Sequence, residues 1–117
     1  MPNRVCDLLG IRYPIVLGGL ARVGTAPLAA AVSEAGGLGL LGAGGWNAAQ
    51  LETEIRRTRS LTGEKFGVNI PVWSEHAEDL VETVIRQEVP VVSTSAGNPQ
   101  RFTRRLQNSG VIVLHVI

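Results

Sequence analysis

Continuous apolar runs alternate along the chain with stretches whose apolar positions recur at helical spacing. The runs are Ile15–Gly18, Leu38–Gly42, Phe66–Ile70, Val89–Thr94 and Val111–Ile117. None alternates apolar with polar as a strand with one wet face would. Such runs mark strands buried on both faces, and therefore parallel pairing.

Each gap between runs carries helix signals. Thr25 is placed to cap a helix over Ala26–Ala35, with Pro27 in its first turn and Gly36 after its end. Asn47 caps the next, with Gln50 in capping-box position. In that helix Leu51, Ile55 and Leu61 are expected to face inward, opposite Glu52, Arg56 and Arg59. Ser74 is expected to cap a third helix whose inner face is Leu80, Val81, Val84 and Ile85. Asn98–Pro99 opens a fourth, with Phe102 and Leu106 inward and Gly110 as its stop.

The spacing of the strands is that of βα units: four units and a fifth strand, with right-handed crossovers. Two architectures share this pattern, a doubly wound open sheet and the first part of a (β/α)₈ barrel. The last apolar run continues to Ile117 without a helix to cover it. Left bare, such a strand is an aggregation edge. We therefore expect the α/β fold to be the N-terminal portion of a TIM (β/α)₈ barrel, with residues 1–117 forming one partial domain truncated at its C-terminus.

Composition narrows the function classes. The 117 residues carry 11 basic and 10 acidic side chains, a formal net charge of +1. Nucleic-acid binding usually leaves a basic excess. Arg56, Arg57 and Arg59, like Arg104 and Arg105, fall on helices and read as solvated faces, so no nucleic-acid partner is expected. No run is long and apolar enough to span a bilayer, and charged Arg4 and Asp7 follow the first residues, so neither a membrane partner nor a signal peptide is expected. Cys6 is the only cysteine, which excludes an intramolecular disulfide and fits a reducing, cytoplasmic compartment. No metal-ligand spacing is present.

In both architectures ligands bind at the C-terminal ends of the strands. Gly18-Gly19-Leu20-Ala21 follows the first predicted strand; it is either a plain tight turn or bare backbone that a planar ring or phosphate can approach. Gly42-Ala43-Gly44-Gly45 resembles a phosphate-cradling loop, although Gly39–Gly44 spells Gly-x-x-Gly-x-Gly and not the dinucleotide order. Asn69 is an amide inside a buried strand and needs hydrogen-bond partners, either a neighbouring strand end or a ligand. Ser93, Thr94 and Ser95 bring hydroxyls to the next strand end, whereas Asn98 before Pro99 is foremost a helix cap. His76 is expected at a solvent-exposed helix start; His115 lies near the end of the last strand, facing either the site or the core. No Ser-His-Asp order and no carboxylate pair appears, so no catalytic residue is assigned.

The run Cys6-Asp7-Leu8-Leu9-Gly10-Ile11-Arg12-Tyr13-Pro14-Ile15-Val16, followed by Gly18-Gly19, resembles the opening of nitronate monooxygenases (2-nitropropane dioxygenases) and of the related flavin-type enoyl-acyl-carrier-protein reductases. Leu28–Gly42, Phe66–Pro71, Val89–Val92 with Ala96–Pro99, and Gly110–Val116 match in the same order. The resemblance implies an FMN-binding barrel acting on a small-molecule substrate: oxidation of alkyl nitronates with O₂, or alternatively reduction of an enoyl thioester with NAD(P)H. It places Gly18, Gly19 and Leu20 against the flavin ring, Asn69 in contact with it, and Ala96–Asn98 towards the substrate. Where the family usually has Gln and Met around the glycine pair, this chain has Leu17 and Leu20, losing one polar group and one sulfur contact. The family's catalytic histidine follows the sixth strand and its phosphate grip the last two; His115 precedes that histidine by a full βα unit. A third alternative is a non-catalytic half-barrel that forms a homo-oligomer to close its sheet.

Overall fold

The computed structural model describes residues 3–117. Helix α1 (Arg4–Leu9) is followed by α2 (Ala26–Glu34), β1 (Gly39–Gly42), α3 (Ala48–Leu61), β2 (Phe66–Pro71) and α4 (Ala77–Arg86). Then come β3 (Val91–Ser95), a 3₁₀ turn (Pro99–Arg101), α5 (Thr103–Asn108) and β4 (Ile112–His115). The four strands form one parallel sheet in sequential order, β1-β2-β3-β4. A doubly wound sheet reverses its strand order at a switch point. This one does not, and the fold is that of the N-terminal portion of a (β/α)₈ barrel.

The two faces of the sheet bury different clusters. Leu41, Val68, Ile70 and Val92 pack under Leu51 and Ile55 of α3 and Leu80, Val81 and Val84 of α4. Each such side chain contributes about 1.5–3 kcal/mol on burial. The opposite face carries Leu38, Leu40 and Val91 against Leu9 at the end of α1, with Ile11, Ile112 and Leu114 partly buried beside them. Leu38, Leu40 and Val91 sit at or near strand starts, so α1 covers this face from the N-terminal end of the sheet, away from the strand ends where ligands bind.

Three sequence expectations are corrected. The segment Ile15–Gly18 forms a single parallel bridge, Val16 to Leu38, instead of a strand. Its ladder reduces to Leu17 N–H donating to Leu38 O (2.9 Å) and Leu38 N–H donating to Ile15 O (2.9 Å). Leu61 is 50% exposed; the inner stripe of α3 is Leu51, Ile55 and Thr58. At about 100° per residue, Leu61 lies well off that stripe. Ser74 does not cap α4, whose N-cap is His76; the Ser74 hydroxyl accepts from His76 N–H (3.2 Å) in the preceding turn.

Other caps follow the sequence. Asn47 and Gln50 complete a reciprocal capping box. Thr25 occupies the N-cap of α2 without a side-chain bond; Glu54 reaches across from α3 and accepts from Ala26 N–H instead (2.8 Å). Asn98 caps the 3₁₀ turn by accepting from Gln100 N–H (2.9 Å). Helix α1 has no counterpart among the helices expected from periodicity. Its six residues are held by Asn3, whose side chain accepts from Val5 and Cys6, and by left-handed Gly10 at the other end.

Candidate functional site

Parallel pairing aligns Gly42 with Asn69 and Asn69 with Ser93. This register gathers polar side chains at one level near the C-terminal rim. Asn69 is 6% exposed and Ser93 2%. The Ser93 hydroxyl donates to Asn69 Oδ1 at 2.6 Å, and Asn69 Nδ2 donates to Ser95 Oγ at 3.3 Å. The amide is thus satisfied by the neighbouring strand, as a buried amide must be, and held in one orientation.

The glycine pair reaches this network. A Cβ built on Gly19 would lie 2.5 Å from Asn69 Cγ and Nδ2, whereas one built on Gly18 meets nothing within 4 Å. Gly19 is therefore required for its contact with Asn69, and Gly18 leaves bare, exposed backbone at the rim. Leu20, 45% exposed, comes next. Its own backbone is seated on β1: a Cβ on Gly42 would lie 2.5 Å from Leu20 O. The turn closes with Gly24 N–H donating to Leu20 O (2.6 Å), and Gly42 N–H donates to Gly24 O (2.8 Å). Gly42, which opens the second loop, thus serves first to admit the first loop. Two of the three left-handed non-glycine residues, Arg22 (φ 68°) and Ala96 (φ 54°), also lie on rim loops, where such strain tends to collect at ligand sites.

Gly18, Gly19, Leu20 and Asn69 are thus brought to one place. Ser93 and Ser95 join them as the partners of Asn69. The sequence showed their hydroxyls but not this role, because the pairing register is what aims them. Thr94 and His115 occupy the other face of the sheet. The Thr94 hydroxyl and His115 Nδ1 are 2.6 Å apart, on strand positions that continue the helix-facing side of Val92 and Val113. His76 is half-exposed at the start of α4, with its Nε2 3.6 Å from Glu75 Oε1. Ala96, Gly97 and Asn98 are exposed on the rim loop after β3.

Residues 3–87 match the family model described as nitronate monooxygenase. The chain belongs to the nitronate monooxygenase family. It superposes on FabK from Thermotoga maritima with a TM-score of 0.97 and 47% identity, covering 100% of this chain and 38% of that one. It superposes on nitroalkane oxidase from Streptomyces ansochromogenes with a TM-score of 0.82 and 30% identity, covering 95% and 41%. A probable nitronate monooxygenase of Staphylococcus aureus is 48% identical over 145 residues, covering 93% of this chain and 41% of that protein. That alignment is longer than the 117-residue chain, so the S. aureus protein carries additional residues within the matched region. The chain thus spans well under half the length of these relatives.

In this member of the nitronate monooxygenase family, one small cavity lies away from the rim. It measures about 80 Å³, is lined by Gly10, Arg12, Ser33, Glu34, Glu64 and Lys65, and opens at the N-terminal end of the sheet. We place the site at the rim nonetheless. The rim is where parallel strands present ligand-binding backbone, and four strands of a barrel leave it an open surface instead of an enclosed pocket. Among the described residues no group of three or more His, Cys, Asp or Glu is arranged to hold a metal ion, and no helix is long and apolar enough to cross a membrane.

Proposed function

We propose that this chain supplies the ring-binding side of an FMN site in an oxidoreductase that oxidises alkyl nitronates with O₂. The reading is carried by one observation: the bare backbone at Gly18–Gly19 meets the buried, oriented amide of Asn69 at the C-terminal rim. A planar heteroaromatic ring with a polar edge fits these residues. Gly18 leaves open space where a side chain would project, Leu20 offers an apolar surface, and Asn69 Nδ2 keeps a second N–H beyond its bond to Ser95.

Bound there, FMN would supply the redox chemistry between the nitronate and O₂. The protein's part is to bind and orient. Gly18, Gly19 and Leu20 would hold the ring, and Asn69, steadied by Ser93, would donate a hydrogen bond to it. No residue of the described chain is assigned as a general base: His115 belongs to the other face of the sheet and His76 to a helix start.

Two measurements test this reading. The first is FMN titration followed by quenching of flavin emission. The second is O₂ uptake with an alkyl nitronate by a chimera in which this chain replaces the matching segment of the T. maritima FabK. Retained flavin with nitronate-dependent O₂ uptake is the expected result; a colourless chimera would refute it.

A second reading is a flavin-type enoyl-acyl-carrier-protein reductase. It is favoured by the end-to-end match to FabK set against the longer matched region of the S. aureus protein. NADH oxidation driven by an enoyl thioester, without O₂ uptake on nitronate, would select it.

A further inference from the structure

We propose that Trp73 is a specificity-determining residue of this site, the wall against which the apolar body of the substrate packs. The inference rests on the nitronate-oxidising reading above. Trp73 is 69% exposed, while its neighbours Val72 and Ser74 are 5% and 6% exposed. The turn after β2 thus buries a valine and a serine and leaves the largest apolar side chain of the segment in water.

This exposure does not come from a loose loop. Val72 N–H donates to Ser95 O (2.7 Å), and Ser74 N–H donates to Pro71 O (3.1 Å). Arg101, stacked 4.7 Å over the Phe102 ring, donates from Nη1 to Val72 O at 2.8 Å. Gly97 of the next rim loop closes on the same valine, since a Cβ there would lie 2.6 Å from Val72 Cβ. The backbone on both sides of Trp73 is pinned, so the point from which the indole projects is fixed.

An apolar floor links it to the ring-binding backbone. A Cβ on Gly44 would meet Pro71 Cγ at 3.3 Å and Ala21 Cβ at 3.8 Å, which brings the loops after Leu20, β1 and β2 side by side. From Leu20 the rim passes over Ala21, Gly44 and Pro71 to Trp73 without a charged side chain among them. An exposed tryptophan on pinned backbone at the end of such a track matches an anchor that a ligand covers, since indole offers a large apolar area at little conformational cost. The occupant it fits is the alkyl chain of a nitronate whose charged head lies at the ring, and longer chains should be preferred.

The test uses the full chain with FMN and a series of primary nitronates, ethyl, butyl and hexyl. Binding is read in the parent and in every variant by isothermal titration calorimetry of the FMN-loaded chain. It is read independently from ¹⁹F resonances of the 5-fluorotryptophan-labelled chain, where the two indoles are resolved without mutation. Affinity should rise about two- to fourfold per added methylene, as expected for methylenes leaving water. The Trp73 signal should shift on binding. Trp73→Ala should flatten the chain-length dependence while leaving flavin affinity and the circular dichroism spectrum unchanged, and Trp73→Phe should restore most of the slope. An undiminished slope in Trp73→Ala, or a Trp73 resonance indifferent to saturating hexylnitronate, overturns the inference while the FMN-site reading stands. Retained flavin with no nitronate bound by the parent chain overturns the nitronate-oxidising reading and the inference with it, and leaves the flavin site standing.

Discussion

Gly19 and Asn69 lie in contact across the rim: a methyl group on the glycine would sit 2.5 Å from the amide carbon and nitrogen of the asparagine. The space for a side chain at position 19 is already taken by the group that orients the site. Gly19→Ala should therefore displace Asn69 and break its alignment with Ser93. We expect at least a tenfold loss of FMN affinity and about 1–3 kcal/mol of destabilisation from overpacking. Gly18→Ala meets nothing within 4 Å and should leave stability within about 0.5 kcal/mol, as surface changes do. Flavin titration and urea unfolding of the two variants check the contrast.

Asn69→Ala tests the network from the other side. It removes the acceptor of the Ser93 hydroxyl and the donor to Ser95. Ser93 is 2% exposed, and an orphaned buried hydroxyl costs about 1–3 kcal/mol. The double variant Asn69→Ala/Ser93→Ala should recover part of that loss, because both partners are then gone. A double-mutant cycle on unfolding midpoints reads the coupling; simple additivity would show that the bond contributes nothing.

The elements that rest on local pattern were legible in the sequence. The parallel runs around Leu41, Val68 and Val92, the capping box at Asn47 and Gln50, and the inward positions Leu80, Val81 and Val84 all depend on spacing within one segment. What was missed depends on partners. Helix α1 is six residues long, too short to show a period, and is held by caps at Asn3 and Gly10. The segment around Val16 reads as a strand but bridges only Leu38 among the described residues. At the site, Gly19 and Asn69 were each visible as unusual residues. The register that sets Ser93 and Ser95 on Asn69, and leaves Thr94 and His115 on the other face, is a relation between strands far apart in the chain.

The correction in α3 yields a stability prediction. Leu51 is 0% exposed and Leu61 50%. Leu51→Ala should cost about 2–5 kcal/mol through lost burial and a cavity beneath β1 and β2. Leu61→Ala should change stability by less than about 0.5 kcal/mol, since alanine is also the better helix former. Thermal unfolding followed at 222 nm separates them, and equal losses would contradict the inner stripe of Leu51, Ile55 and Thr58.

The placement of His115 makes the last prediction. Its Nδ1 lies 2.6 Å from the Thr94 hydroxyl, and both residues extend the helix-facing side of the sheet marked by Val92 and Val113. A histidine there is reached neither by the ring-binding backbone at Gly18 nor by the amide of Asn69. His115→Gln should leave FMN affinity within about twofold, the scale of a surface change. Thr94 is 0% exposed, so Thr94→Val, which swaps its hydroxyl for a methyl and leaves the imidazole without its partner, should lower stability by about 1 kcal/mol, the net worth of a typical hydrogen bond. Flavin titration of the first variant and urea unfolding of the second check the two halves. A tenfold loss of flavin affinity in His115→Gln would place the imidazole at the ring and contradict the assignment of the two faces.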